Sequence, residues 1–160
     1  MRLSDVDIVP YSTILLDRDG TVNVHIVGDY VRSPKQFVFV PGAKEAIAAM
    51  HKAGKQVYII TNQRGVGRGL MTEEDLTAVH RFMVKQVEEA GGHIDGIYCC
   101  TATDANDPRR KPNTGMWQEL LNDHPDIRPE ATLMIGDSDS DEAFARNCGI
   151  DFYKVEDTIG

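Results

Sequence analysis

Short β-forming runs that end abruptly on a polar, chemically useful residue recur along this chain, with helical patterns between them. Ser12 to Leu16 ends at Asp17, Gln56 to Ile60 ends at Thr61, and Thr132 to Ile135 ends in Gly136 and Asp137. Pro41-Gly42 opens a helical segment with Ala43, Ile47, Met50 and Ala53 near helical spacing, and Gly54 stops it. Thr72 has N-cap chemistry, and Glu73, Glu74 and Asp75 place acids in the first turn, where the helix dipole favours them. Leu76, Val79, Met83 and Val87 continue along one face until Gly91-Gly92. Ile94 to Cys99 reads as a third strand, Met116 to Asn122 as a short helix, Glu142 to Asn147 as a helix stopped by Gly149, and Asp151 to Val155 as an edge strand. Strand and helix in alternation predict a three-layer α/β domain, a mostly parallel central sheet with helices on both faces. In such sheets the ligand site lies beyond the carboxyl ends of the strands.

The 160 residues suit one domain spanning 1–160, long enough to bury a core without disulfides or a structural metal. Three cysteines, two of them adjacent at Cys99 and Cys100, form no disulfide framework and read as a reduced chain. The N-terminal stretch lacks the cationic start and apolar middle of a secretory leader. No apolar run reaches the ~18 residues of a membrane span. The expected location is cytoplasmic, with no membrane partner. A net charge of −8 argues against nucleic acid as a partner. It also means that an anionic substrate would need local cations or a bound metal to reverse the field.

The strand ends supply such a site. Asp17 and Asp137 offer carboxylates for magnesium, which takes hard oxygen ligands and keeps several waters. Asp17 is then placed to attack phosphorus and form an aspartyl-phosphate. Asp19 could protonate the leaving oxygen and later activate water. Gly20 permits a tight turn there. Lys111 and Thr61 fit the stabilisation of charge on the transferring phosphoryl group. Asp141 could orient Lys111 or support the metal ligands.

The segment from Asp17 through Arg18, Asp19, Gly20 and Thr21 to Asn23 resembles motif I of the haloacid dehalogenase-like superfamily, subfamily IIIA. Thr61 resembles motif II, Lys111 motif III, and Asp137 with Asp141 motif IV, over a stretch from about Leu15 to Gly149. The resemblance implies a Rossmannoid fold, Asp17 as nucleophile and Asp19 as acid/base. It also implies magnesium held by Asp17, the backbone carbonyl of Asp19, and Asp137, with Gly20, Thr21 and Asp141 in support. The run Thr61, Asn62, Gln63, Arg64 to Arg68-Gly69, with His80 and Met83, is similar to the branch of heptose bisphosphate phosphatases and histidinol-phosphatases, as is Arg110-Lys111-Pro112. By that likeness Asn62, Gln63, Arg64, Arg68 and Arg110 are candidate substrate contacts.

That branch carries a zinc loop before the Arg-Lys pair. Here residues 99–109 offer Cys99 and Cys100 but no histidine and no second cysteine pair, so zinc is not expected. Only residues 22–40 separate motif I from the first helix. The domain is therefore expected to be capless, with a small flap that brings His25 or Tyr30 near the site. His80, on the apolar stripe, reads more readily as a satisfied half-buried histidine than as a catalytic one. The glycine-spaced stretch Gly65 to Gly69 reads as a flexible turn, not a dinucleotide loop. The expected activity is magnesium-dependent hydrolysis of a small phosphate ester, a sugar phosphate of the heptose 1,7-bisphosphate type. A histidinol-phosphatase, a polynucleotide 3′-phosphatase and a non-catalytic phosphate-binding module stand as alternatives. Self-association as a homo-oligomer is left open.

Overall fold

Each central strand of this chain must be apolar on both faces, because helices cover both. The computed structural model describes residues 2–156, so the ends of the expected 1–160 span lie outside the described residues. Five parallel strands form one sheet: β1 (Thr13–Leu16), β2 (Gln56–Asn62), β3 (Gly96–Cys100), β4 (Thr132–Gly136) and β5 (Asp151–Lys154), in spatial order β3-β2-β1-β4-β5. Every residue of β1 and β4 is buried, as expected for the centre of a sheet covered on both sides.

Alternation of side chains along the strands sorts the core into two halves. Ile14, Leu16, Val57, Ile59, Leu133 and Ile135 face one side. There they meet Ala43, Ile47 and Met50 of α1 (Ala43–Lys52) and Val79, Met83 and Val87 of α3 (Glu73–Glu89). Leu15, Tyr58, Ile60 and Met134 face the other. They pack on Met116, Trp117 and Leu120 of α4 (Gly115–Asp123) and on Phe144 and Ala145 of α5 (Asp139–Cys148). Residues 22–40 fold back as the expected small flap, bridged by Asn23 and Phe39, and seal one end of the first core with Val22, Val31, Phe37 and Val40.

Thr72 caps α3 by accepting from the Asp75 amide, and the Asp75 carboxylate in turn accepts from the Thr72 amide. Three local expectations are corrected. Ser138 and Asp141 form a second capping box, so α5 begins at Asp139 and not at Glu142. The second strand runs through Thr61 to Asn62, because both pair with Cys99 and Cys100 of β3. The turn expected at Gly65 to Gly69 opens instead with a short helix, α2 (Arg64–Gly67). A Cβ on Gly67 would stand 2.1 Å from the Thr101 carbonyl, so the glycine there serves close packing. Among the described residues no helix is long and apolar enough to cross a membrane.

Candidate active site

The strand order fixes where the site must be. From β1 the chain moves outward to β2 and β3, then returns to the other side of β1 for β4. The crevice opened by that reversal lies at the carboxyl ends of β1 and β4. Asp17 follows β1 and Asp137 follows β4. Both line a cavity of about 480 Å³, together with Asp19, Asn62, Arg64, Arg110, Lys111 and Asp141. The flap contributes His25 and Tyr30 to the same wall, where the sequence placed them.

Lys111 is the centre of the charge network. Its buried ammonium donates to Asp17 Oδ1 at 2.9 Å, Asp141 Oδ1 at 2.6 Å and the Ile60 carbonyl at 2.8 Å. Asp141 Oδ2 is occupied as well, by the Ser138 hydroxyl at 2.8 Å. Burial opposes the charge on Lys111, but the two carboxylates outweigh it and hold its pKa above the usual range. Burial would likewise raise Asp141; the lysine charge and the hydrogen bonds reverse that and leave its pKa below the ordinary value. Asp17 shows the opposite balance. Its burial outweighs Lys111, and with Asp141 and Asp137 nearby its pKa stands well above the usual carboxylate range. Burial also raises Asp137, although a hydrogen bond with Asp17 works against it.

Asp17, Asp137 and Asp141 each offer an oxygen within 4.8 Å of the others. Asp141 is committed to Lys111 and Ser138. That leaves Asp17 and Asp137 as the pair whose shared burial and repulsion a hard divalent cation would relieve, and their donor chemistry fits magnesium. The Asp19 side chain stands apart from this cluster, so its expected part in metal binding rests on its backbone carbonyl. Gly20 is what lets Asp137 come in: its φ is +89°, and a Cβ there would lie 1.9 Å from Asp137 Oδ2.

Asp19 is held by three donors. Arg18 Nη2 and Asn23 Nδ2 donate to Oδ1 at 2.8 and 2.9 Å, and Gln63 Nε2 donates to Oδ2 at 2.8 Å. Burial would raise its pKa, but Arg18 and these hydrogen bonds leave it lowered.

Several expected contacts are placed differently. Gln63 is buried, and its amide is spent on Asp19 and on the Thr61 hydroxyl, so it holds the site instead of facing the cavity. Thr61 is fully buried beneath it and lies outside the cavity lining. Asn62 borders the cavity, yet its amide grips the Lys111 backbone from both sides, at 3.1 Å to the carbonyl and 3.0 Å from the N–H. Arg68 is absent from the cavity wall and donates to the Tyr30 hydroxyl, pinning the flap. The Thr21 side chain is buried, and among the described residues its hydroxyl has no hydrogen-bond partner. The sequence reading gave no role to Arg18, Asn23 or Asn113. Asn113 Nδ2 donates to the Ala105 and Asp107 carbonyls, and Arg110 Nη1 to the Thr103 carbonyl, which ties down the loop before Lys111.

Known proteins resemble this chain in sequence and in fold. A family model described as Polynucleotide kinase 3 phosphatase matches residues 13–158. The D-glycero-alpha-D-manno-heptose-1,7-bisphosphate 7-phosphatase of Mycobacterium tuberculosis is 38% identical over 135 residues, covering 84% of this chain and 71% of that protein. The D-glycero-beta-D-manno-heptose-1,7-bisphosphate 7-phosphatase of Rhodopseudomonas palustris is 35% identical over 149 residues, covering 88% of this chain and 81% of its own. The crystal structure of the D,D-heptose 1,7-bisphosphate phosphatase from B. bronchiseptica, complexed with magnesium and phosphate, has a TM-score of 0.84 at 33% identity. It covers 89% of this chain and 79% of the other.

Proposed function

Because the chain belongs to the polynucleotide kinase 3 phosphatase family and is a phosphatase of the haloacid dehalogenase-like fold, we propose that it hydrolyses a sugar bisphosphate of the heptose 1,7-bisphosphate type through an aspartyl-phosphate on Asp17. The observation that carries this reading is the buried Lys111 ammonium shared by Asp17 and Asp141, in the lining of a strand-end cavity.

A carboxylate oxygen of Asp17 attacks phosphorus and the bond to the sugar oxygen breaks. That oxygen takes a proton from Asp19. In the second half, Asp19 takes a proton from water as the water attacks phosphorus. Inorganic phosphate leaves and the Asp17 carboxylate is restored. The substrate-free site holds Asp19 ionised, the form this second half needs. A phosphoryl group bound beside it adds negative charge and raises its pKa, which favours the protonated form needed first. Lys111 keeps Asp17 in place and sets a fixed positive charge against the phosphoryl oxygens. Asp17 and Asp137, with the Asp19 carbonyl, would hold magnesium, whose charge screens the nucleophile from the phosphoryl group.

The cavity has the size of a small-metabolite site. Arg64 and Arg110 also line it, and supply the cations that a substrate with a second phosphate would require. The family description points also to 3′-phosphorylated polynucleotides. The net charge of −8 favours the small metabolite.

The test is phosphate release from a panel: both anomers of heptose 1,7-bisphosphate, histidinol phosphate, hexose monophosphates and a 3′-phosphorylated oligonucleotide, each with magnesium and with chelator. The expected result is chelator-sensitive turnover that strongly prefers the heptose bisphosphate. Preference for the oligonucleotide or histidinol phosphate would overturn the substrate assignment. Turnover of the preferred ester that persists in chelator would overturn the metal requirement.

A further inference from the structure

Arg18 is flanked in sequence by two aspartates and would ordinarily be read as a surface residue, yet its side chain is wholly buried. Each arm of its guanidinium is used. Nη2 donates to Asp19 Oδ1 at 2.8 Å, Nε to Asn23 Oδ1 at 3.2 Å, and Nη1 lies 3.1 Å from Nε2 of His80, on α3. A guanidinium has donors and no acceptor, so His80 Nε2 must accept. The imidazole is therefore neutral, with its proton on Nδ1. Burial and the Arg18 charge both favour that form and push the histidine down to about 4. The Phe37 ring lies beside the guanidinium, with its centroid 5.8 Å from Cζ.

A buried guanidinium that loses an acceptor turns to find another, and the arm on Asp19 turns with it. We propose that His80, acting through Arg18, is a positioning residue that fixes the Asp19 carboxylate for its proton transfers. The inference rests on the acid/base role assigned above to Asp19. The chain of contacts runs from α3 through the core to the cavity wall, and no member of it but Asp19 borders the cavity.

The outer edge of His80 borders a groove with Thr77, Arg81, Val84, Ile97 and Cys99, which gives a slightly larger ring room. His80→Phe therefore removes the acceptor while keeping the packing, and His80→Gln retains an acceptor near the Nε2 position. Both are made in the parent and in an Asp19→Asn background, and turnover of an alkyl phosphate and of p-nitrophenyl phosphate is followed in magnesium. General acid/base groups contribute about 10²–10⁴-fold, so mispositioning by His80→Phe should cost about tenfold in kcat on the alkyl ester with KM little changed. On p-nitrophenyl phosphate, whose leaving group needs no proton, a burst of p-nitrophenol should precede a slowed steady state. His80→Gln should recover most of the rate. In the Asp19→Asn background, His80→Phe should cost nothing further.

Parent kcat in His80→Phe, equal losses in the Gln and Phe variants, or an undiminished loss in the Asp19→Asn background would each overturn the inference. Parent-like turnover of the alkyl ester by Asp19→Asn itself would instead remove the acid/base reading on which it stands.

Discussion

Replacing Lys111 with Met keeps the length and the apolar stem of the side chain and deletes its ammonium. Three buried hydrogen bonds vanish at once, to Asp17, Asp141 and the Ile60 carbonyl. What remains is a set of three carboxylates with oxygens within 4.8 Å and no cation from Lys111 among them. Removing one partner of a buried ion pair costs about 3–5 kcal/mol. For a chain of this size that lowers Tm by roughly 6–20 °C. The loss is smaller than the ~5–15 kcal/mol that holds an ordinary domain together, so the variant should still fold.

The pH dependence tells charge from packing. In the parent the Lys111 pKa is raised, so its contribution is fully present below the unfolded value of about 10.5. The Asp141 pKa is lowered, so its contribution holds above the unfolded value of about 3.9 and is lost only as pH falls through the folded value. Between about pH 5 and pH 8 neither contribution changes. In the variant, burial and mutual repulsion act on Asp17 and Asp141 without the cation, and both pKa values move up. A folded state that binds protons the unfolded state has released gains stability as pH falls. The deficit in chelator should therefore be larger at about pH 8 than at about pH 5, by about 1.4 kcal/mol for each unit of upward shift that falls between those two pH values. Thermal unfolding of parent and variant at the two pH values measures it. Turnover with magnesium should fall by roughly 10²-fold or more. A deficit that is equal at both pH values, or larger at the acid one, would refute the claim that the lysine's charge holds these carboxylates together.

Asp17→Asn should abolish turnover and leave the Tm at or above the parent value, because the neutral amide still fits between Lys111 and Asp137; parent-like phosphate release would eliminate the covalent route. Gly20→Ala forces a left-handed backbone on an L-residue, at about 1–2 kcal/mol, and drives a methyl into Asp137 Oδ2. The magnesium concentration for half-maximal rate should rise about tenfold or more, each tenfold being about 1.4 kcal/mol; an unchanged requirement in a folded variant would show that Asp137 does not need that approach.

The parts of this molecule legible in its sequence are those set by local rules. Runs such as Ile14 to Leu16 and Leu133 to Ile135 mark strands, and a parallel sheet puts whatever follows them on one edge. Asp17 and Asp137 could therefore be placed together although they are far apart in the chain. Partners fixed only by tertiary packing were not legible. Asn62 and Gln63 are neighbours with the same chemistry, yet one grips the Lys111 backbone and the other reaches Asp19. Nothing in their spacing says which. Arg18 sits between two aspartates and gives no sign of burial, because its acceptor on α3 comes from a distant segment. The start of α5 was a different kind of miss. Ser138 and Asp141 carry the spacing of a capping box, and the signal was present but masked by the acidic run around it.

The distribution of those charges answers how so acidic a chain can hold a phosphate. Five carboxylates border the cavity: Asp17, Asp19, Asp29, Asp137 and Asp141. Three are answered by cations of the chain itself, Asp19 by Arg18, Asp29 by Arg32 and Asp141 by Lys111, and all three have lowered pKa values. The two whose pKa values are raised are Asp17 and Asp137, the pair left to share Lys111 with Asp141 or to go without. A further fixed cation between them would have cancelled most of the excess negative charge and closed the position. Without one, the field stays negative until a mobile cation arrives. A cation held there would lower the repulsion that a phosphate ester meets, and a bound phosphate ester would in turn draw the cation in. By linkage the two effects must be equal in size, so the substrate should tighten magnesium by the same factor by which magnesium tightens the substrate.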